Sequence, residues 1–109
     1  METKNAIAAL TALGHATRLA AFRLLVEAGP AGHMAGDIAS LLQVPPATLS
    51  FHLKELLQAG LVESENQGRN VCYRANFSAM TGLIDYLTHN CCAGSAAPGC
   101  TPGVTRRAC

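Results

Sequence analysis

No apolar stretch in this 109-residue chain is long enough to cross a bilayer. A spanning helix needs about 18 to 20 such residues in a row. The opening, METKNAIAAL, has one lysine and no long apolar run before a cleavage site, so it does not read as a secretory signal. The expectation is a cytoplasmic protein with no membrane partner. Charge of either sign is scarce: 14% of residues are charged, and eight Lys and Arg against seven Asp and Glu leave a net charge of +1. That balance gives no global attraction for nucleic acid, so such a partner would have to be held by local arrangement. There is no Cys-x-x-Cys, no phosphate-binding loop and no Gly-rich cofactor fingerprint. Neither an enzyme nor an organic cofactor is expected. The length suits one domain and excludes separate cofactor and substrate lobes.

Apolar residues, by contrast, make up 50% of the chain, and the mean hydropathy is +0.22. This exceeds what one small core needs and points to an interface, most simply a homodimer. The five cysteines, at positions 72, 91, 92, 100 and 109, are unevenly placed: four fall in the last 19 residues. In a reducing compartment that clustering, and the odd count, suit metal or redox chemistry better than a disulfide framework.

Periodicity and punctuation predict five helices and a hairpin. The first helix covers residues 4–13, with Ile7, Leu10 and Leu13 recurring until Gly14. The second runs from Ala16 to Ala28, with Leu19, Phe22, Leu25 and Val26 as its stripe, and Gly29-Pro30 stops it. A short helix from Ala35 to Leu42 is followed by a tight joint, Gln43 to Pro46. Pro46 suits the first turn of the next helix, which extends to Ala59 with Leu49, Leu53 and Leu56 inward. Leu61 to Glu65 and Val71 to Ala75 read as strands around a Gly- and Asn-containing turn. The last helix spans Phe77 to Asn90, with Met80, Leu83, Ile84 and Leu87 on one face. Beyond Asn90 the Gly, Pro, Ser and Ala content predicts no regular element unless something ties it down. The fold class is therefore mainly α with a small β-hairpin. Its short helix, turn, helix and hairpin occur in the order of a winged helix-turn-helix.

That order makes the Pro46–Ala59 helix the reading helix. Ala47, Thr48, Ser50, Phe51 and Lys54 are left outside its buried stripe and are candidate DNA contacts. At the hairpin, Arg69 is free to reach a phosphate or the minor groove, with Gln67 and Asn70 as polar helpers. His52 has two readings: a phosphate contact, or a satisfied histidine bonded to the neighbouring helix. Singly, each of these polar residues is equally at home on a solvated helix face.

The segment Gly36 to Asn76 resembles the ArsR family of winged helix-turn-helix repressors. The resemblance is carried by Leu49-Ser50-Phe51-His52-Leu53-Lys54-Glu55-Leu56, then Ala59-Gly60-Leu61-Val62, Gly68-Arg69 and Tyr73-Arg74. Leu13-Gly14-His15-Ala16-Thr17-Arg18-Leu19 resembles the family's opening of the second helix. The likeness covers roughly residues 6 to 90. It implies a homodimer joined by the first and last helices, with Ile7, Leu10, Leu13, Met80, Leu83, Ile84 and Leu87 at the seam. It also implies binding to double-stranded operator DNA, and release when a metal or metalloid ion binds.

Where such an ion would bind differs within the family. The Cys-Val-Cys of its arsenic sensors is absent here, where Asp37-Ile38-Ala39-Ser40-Leu41 stands instead. Its zinc sensors use paired Asp and His on the last helix. This chain offers only Asp85 and His89, at i, i+4, which also read as a solvated helix end. What remains is Cys91, Cys92 and, after seven intervening residues, Cys100. Three thiolates suit a soft ion such as As(III) or Sb(III), and softness also admits Zn, Cd, Pb or Cu(I). Adjacent cysteines point about 100° apart on a regular helix, so both can face one ion only where the helix frays. The Gly- and Pro-containing loop then brings Cys100 round at small entropic cost. Some arsenic-responsive members of the family look similar, with a vicinal pair after the last helix and one further cysteine. This divides the chain into a DNA-binding and dimerisation domain, 1–90, and a sensing tail, 91–109. Cys109 reads as a spare, and Cys72 as a small strand residue rather than a ligand. A redox or reactive-sulfur switch is the alternative use of the same thiols.

Overall fold

The computed structural model describes residues 1–94. Five α-helices and three strands follow in the order α1 (Thr3–Leu13), α2 (Ala16–Ala28), β1 (His33–Met34), α3 (Ala35–Leu42), α4 (Pro46–Gln58), β2 (Val62–Gln67), β3 (Asn70–Ala75) and α5 (Phe77–Thr88). The strands form one antiparallel sheet in the order β1-β3-β2. This is a mainly helical winged helix-turn-helix, as the pattern of elements predicts.

The two-residue strand β1 is too short for a period and was not expected. It pairs His33 with Tyr73 and Met34 with Cys72. Gly32 makes the approach possible. It has φ +66°, and a β-carbon there would lie 2.1 Å from the Tyr73 carbonyl oxygen. The hairpin is also tighter than expected. β2 and β3 pair out to Gln67 and Asn70, leaving only Gly68 and Arg69 in the turn. Gly68, at φ +66°, supplies the positive φ that a two-residue hairpin turn of the II′ kind needs at its first position.

The core is aliphatic. Leu25, Ile38, Leu49, Leu53, Leu56 and Leu61 are fully buried, with Phe22, Val62 and Leu83 around them. Burying each large side chain contributes about 1.5 to 3 kcal/mol. Two helices present faces other than those read from their leucines. In α1 the inward residues are Ala6, Ala9 and Ala12, while Ile7 and Leu10 are exposed. In α2 Ala21, Phe22 and Leu25 are buried and Leu19 is outside the stripe, exposed. An alanine lets two helix backbones approach closely, so small residues occupy the close contacts and longer neighbours turn out.

The joint before α4 follows from its residues. Gln43 adopts the left-handed conformation (φ 54°), closing α3 through its N–H to the Ala39 and Ser40 carbonyls. Pro45 is extended, and Pro46 occupies the first turn of α4, where its missing N–H costs nothing. At the far end, Asn76 joins three pieces of chain. Its Oδ1 caps α5 by accepting from Ala79 N–H (3.1 Å), its Nδ2 donates to the Gly60 carbonyl (3.0 Å), and its backbone N–H donates to the Leu61 carbonyl (2.8 Å). α5 is thereby tied to the turn that ends α4.

Candidate nucleic-acid interface and thiol site

On α4 the stripe Leu49, His52, Leu53 and Leu56 is buried, and Ala47, Thr48, Ser50, Phe51 and Lys54 are exposed. At about 100° per residue, Ala47, Phe51, Lys54 and Gln58 stand in line on the side away from that stripe. Gln67, Arg69 and Asn70 are exposed at the end of the hairpin. The structure therefore leaves eight of the nine expected DNA-contact residues accessible, five on α4 and three at the hairpin.

The ninth, His52, is not accessible. It is only 7% exposed, and its Nδ1 lies 3.2 Å from Nη1 of Arg18 on α2. The second of its two readings is the one found, and a phosphate contact has no surface to use. The His15 ring lies 4.5 Å from it, centroid to centroid. His15 in turn caps α2, its Nδ1 accepting from Thr17 N–H (3.1 Å), and Arg18 Nε donates to the Ala12 carbonyl at the end of α1 (2.6 Å). Burial, then the nearby His15 and Arg18, hold the His52 pKa below its ordinary value, against the opposing pull of Glu55. His52 is thus a neutral link between the α1–α2 joint and the reading helix. The sequence singled out Arg18 only within a family-like segment. An arginine in the first turn after a helix cap was the available signal.

Electrostatics at the hairpin narrow the cation supply. Arg74 Nη2 donates to Glu65 Oε1 across β2 and β3 at 2.9 Å. Hydrogen bonds from Arg74 and then Gln67 lower the Glu65 pKa, and the hydrogen bond to Glu65 raises that of Arg74. Of the three cations on α4 and the hairpin, Lys54, Arg69 and Arg74, the last is therefore already engaged.

The expected seam residues divide. Ile7, Leu10, Ile84 and Leu87 are exposed, at 46–59%. Leu13 and Met80 are half-buried against the chain's own core. Leu83 is 6% exposed and belongs to that core rather than to a free seam. Thr3 and Tyr86 hydroxyls share a hydrogen bond that sets α1 beside α5.

α5 ends at Thr88, two residues before the expected Asn90, and Asn90 and Cys92 take positive φ (59° and 63°). The helix has frayed where the adjacent cysteines begin. Cys91 and Cys92 sulfurs lie 3.4 Å apart. One soft ion spans such a separation, because its thiolate bonds are about 2.3 Å each. Ion binding would use both cysteines in their reduced form. Cys100 and Cys109 lie outside the described residues. Among the described residues no three His, Cys, Asp or Glu side chains converge as a metal site. Asp85 and His89 line a cleft of about 380 Å³ with Met1, Gly82 and Tyr86. Cys72 is buried in β3, its thiol against the Ala31 carbonyl at 3.6 Å.

A reading helix with an exposed polar edge, seated on an aliphatic core and followed by a glycine-turned hairpin, defines a winged helix-turn-helix transcriptional regulator. Residues 13–65 match a helix-turn-helix domain family. The chain is similar to an ArsR-like transcriptional regulator from Rhodococcus sp. RHA1, at 31% identity over 77% of this chain and 76% of that one, with a TM-score of 0.65. It belongs to the ArsR-like family. It is also 42% identical over 57 residues to an uncharacterized HTH-type transcriptional regulator, YdfF, of Bacillus subtilis (strain 168). That match takes in 52% of this chain and a quarter (25%) of the curated relative. A homodimeric winged helix-turn-helix domain from Mycobacterium bovis shares the fold, at 23% identity over 79% of this chain and 84% of that one, TM-score 0.61. Among the described residues no helix is long and apolar enough to cross a membrane.

Proposed function

We propose that this ArsR-family regulator is a metalloid-responsive repressor. As a cytoplasmic homodimer it holds operator DNA, and it lets go when As(III) or Sb(III) binds Cys91, Cys92 and Cys100. It works by binding, not catalysis. The observation that carries the reading is the pair of sulfurs 3.4 Å apart at the frayed end of α5. Residues 1–90 do the DNA binding and dimerisation in this reading, and residues 91–109 do the sensing. Dimerisation is supported by the exposed Ile7, Leu10, Ile84 and Leu87 on α1 and α5, and by the homodimeric relative of the same fold.

The chain's own bonds supply a route from thiols to DNA. Ordering the tail against the end of α5 displaces that helix, and the Asn76 side chain passes the displacement to Gly60 at the end of α4. Two reading helices must sit about 34 Å apart to enter successive major grooves. A coupling of about 1 to 3 kcal/mol releases the DNA.

A second reading uses the same residues. The closeness of the Cys91 and Cys92 sulfurs also suits a redox switch. There two thiols give up two electrons and two protons to an oxidant such as peroxide and become a disulfide.

One titration separates the readings. The reduced protein–DNA complex is treated with arsenite, antimonite, zinc or peroxide, for the parent and for the Cys91→Ser/Cys92→Ser variant. Release of the parent by arsenite or antimonite, and retention of the variant, supports the metalloid site. Release by peroxide alone selects the redox switch. Release of parent and variant alike by arsenite overturns the site assignment.

A further inference from the structure

Phe51 is the one large apolar side chain on the outward line of α4, and it is 56% exposed. Ala47 stands one turn before it and Lys54 one turn after. Its ring meets the His52 ring edge-on, with centroids 5.4 Å apart and planes at 65°. His52 is itself held by Arg18 and His15. The phenyl ring therefore sits beside a fixed neighbour and projects from a rigid helix. The other exposed apolar residues proposed for the subunit seam lie on α1 and α5, not on α4.

Nothing polar on a phenyl ring can read hydrogen-bond donors or acceptors. The major-groove face of a base pair offers one apolar group, the 5-methyl of thymine. 5-Methylcytosine presents the same group. Contact between ring and methyl removes both from water. Such a contact has more weight here than in a cation-rich interface, because Arg74 is paired with Glu65 and leaves Lys54 and Arg69 as the cations of α4 and the hairpin.

We infer that Phe51 is a specificity-determining residue, whose ring reads a pyrimidine 5-methyl group in the major groove of bound DNA. This rests on the chain reading DNA with α4, and is independent of what the cysteines sense.

The test begins by selecting bound duplexes from a random library with the full chain. Lack of any enrichment would overturn DNA recognition itself, and this inference with it. With an enriched duplex in hand, each thymine is replaced in turn by deoxyuridine, which removes only the methyl. One position per half-site is expected to weaken parent binding about three- to fivefold, the worth of one buried methyl. Phe51→Ala should bind the thymine and uridine duplexes equally, and Phe51→Leu should retain part of the preference. At that position 5-methylcytosine should exceed cytosine by a similar factor for the parent and not for Phe51→Ala. This arm separates the methyl from the rest of the thymine base. Circular dichroism checks that the exposed substitution leaves the fold intact. The absence of a uridine-sensitive position, or undiminished sensitivity in Phe51→Ala, overturns the inference.

Discussion

Arg18 Nη1 and His52 Nδ1 meet at 3.2 Å, joining α2 to the buried side of the reading helix. An arginine N–H can only donate, so the imidazole must offer a bare nitrogen and remain neutral. A proton on Nδ1 would set donor against donor and cation against cation, with His15 adding to the repulsion.

Acid should therefore loosen this joint. The His52 pKa is lowered from 6.5 in the folded chain. Well above 6.5 the ring is neutral whether folded or not, and it adds no pH dependence. As pH falls below 6.5, the unfolded chain takes a proton that the folded chain declines, so stability falls until the lower folded pKa is reached. The slope from this group is at most about 1.4 kcal/mol per pH unit. Thermal melts of the parent and His52→Gln between pH 7.5 and 5 check it: the variant should lose less stability over that range. An equal loss would remove His52 as the source.

Two neighbours on α5 should behave oppositely. Leu83 is buried and Ile84 is 51% exposed. Leu83→Ala should cost about 2 to 5 kcal/mol in denaturant unfolding. Ile84→Glu should leave the protomer folded and shift sedimentation from dimer to monomer. A dimeric Ile84→Glu would place the seam elsewhere.

DNA affinity should depend only shallowly on salt. With Lys54 and Arg69 as the phosphate contacts in each copy, a dimer neutralises about four phosphates, and log K should fall with log salt at a slope of about −3.6. Arg69→Ala should reduce that slope by about half. A slope unchanged by Arg69→Ala would take the hairpin tip off the phosphates.

Asn76 offers a substitution that separates capping from coupling. Asn76→Asp keeps an oxygen for the Ala79 N–H and removes the donor to the Gly60 carbonyl. Its α5 should remain capped, whereas Asn76→Ala should lose about 1 kcal/mol of stability. The ratio of DNA affinities with and without arsenite should shrink in Asn76→Asp while the ion-free affinity changes little. An unchanged ratio would route the signal elsewhere.

The order of elements was legible because prolines and glycines stand at the joints: Gly29-Pro30 closes α2, and Pro45-Pro46 separates α3 from α4. Helix orientation was less so. The leucines of α1 drew attention, but it is Ala6, Ala9 and Ala12 that face inward, since close backbones select small side chains. β1 carries too few residues to show a period. The exposed face of α4 followed from its leucine spacing alone. His52 could not be assigned from its own helix, because the partner that decides its role, Arg18, is 34 residues away.

The alanine face of α1 also acts as a gauge. Ile7 and Leu10 ride on the same helix, so the depth at which three methyl groups seat α1 fixes how far those two side chains stand out from the body. A bulkier residue at 6, 9 or 12 would work as a shim, lifting the helix and, in the proposed dimer, resetting the angle at which two copies meet. Under the proposed function, operator spacing would then drift through changes remote from α4, the hairpin and the cysteines, with those residues left as they are.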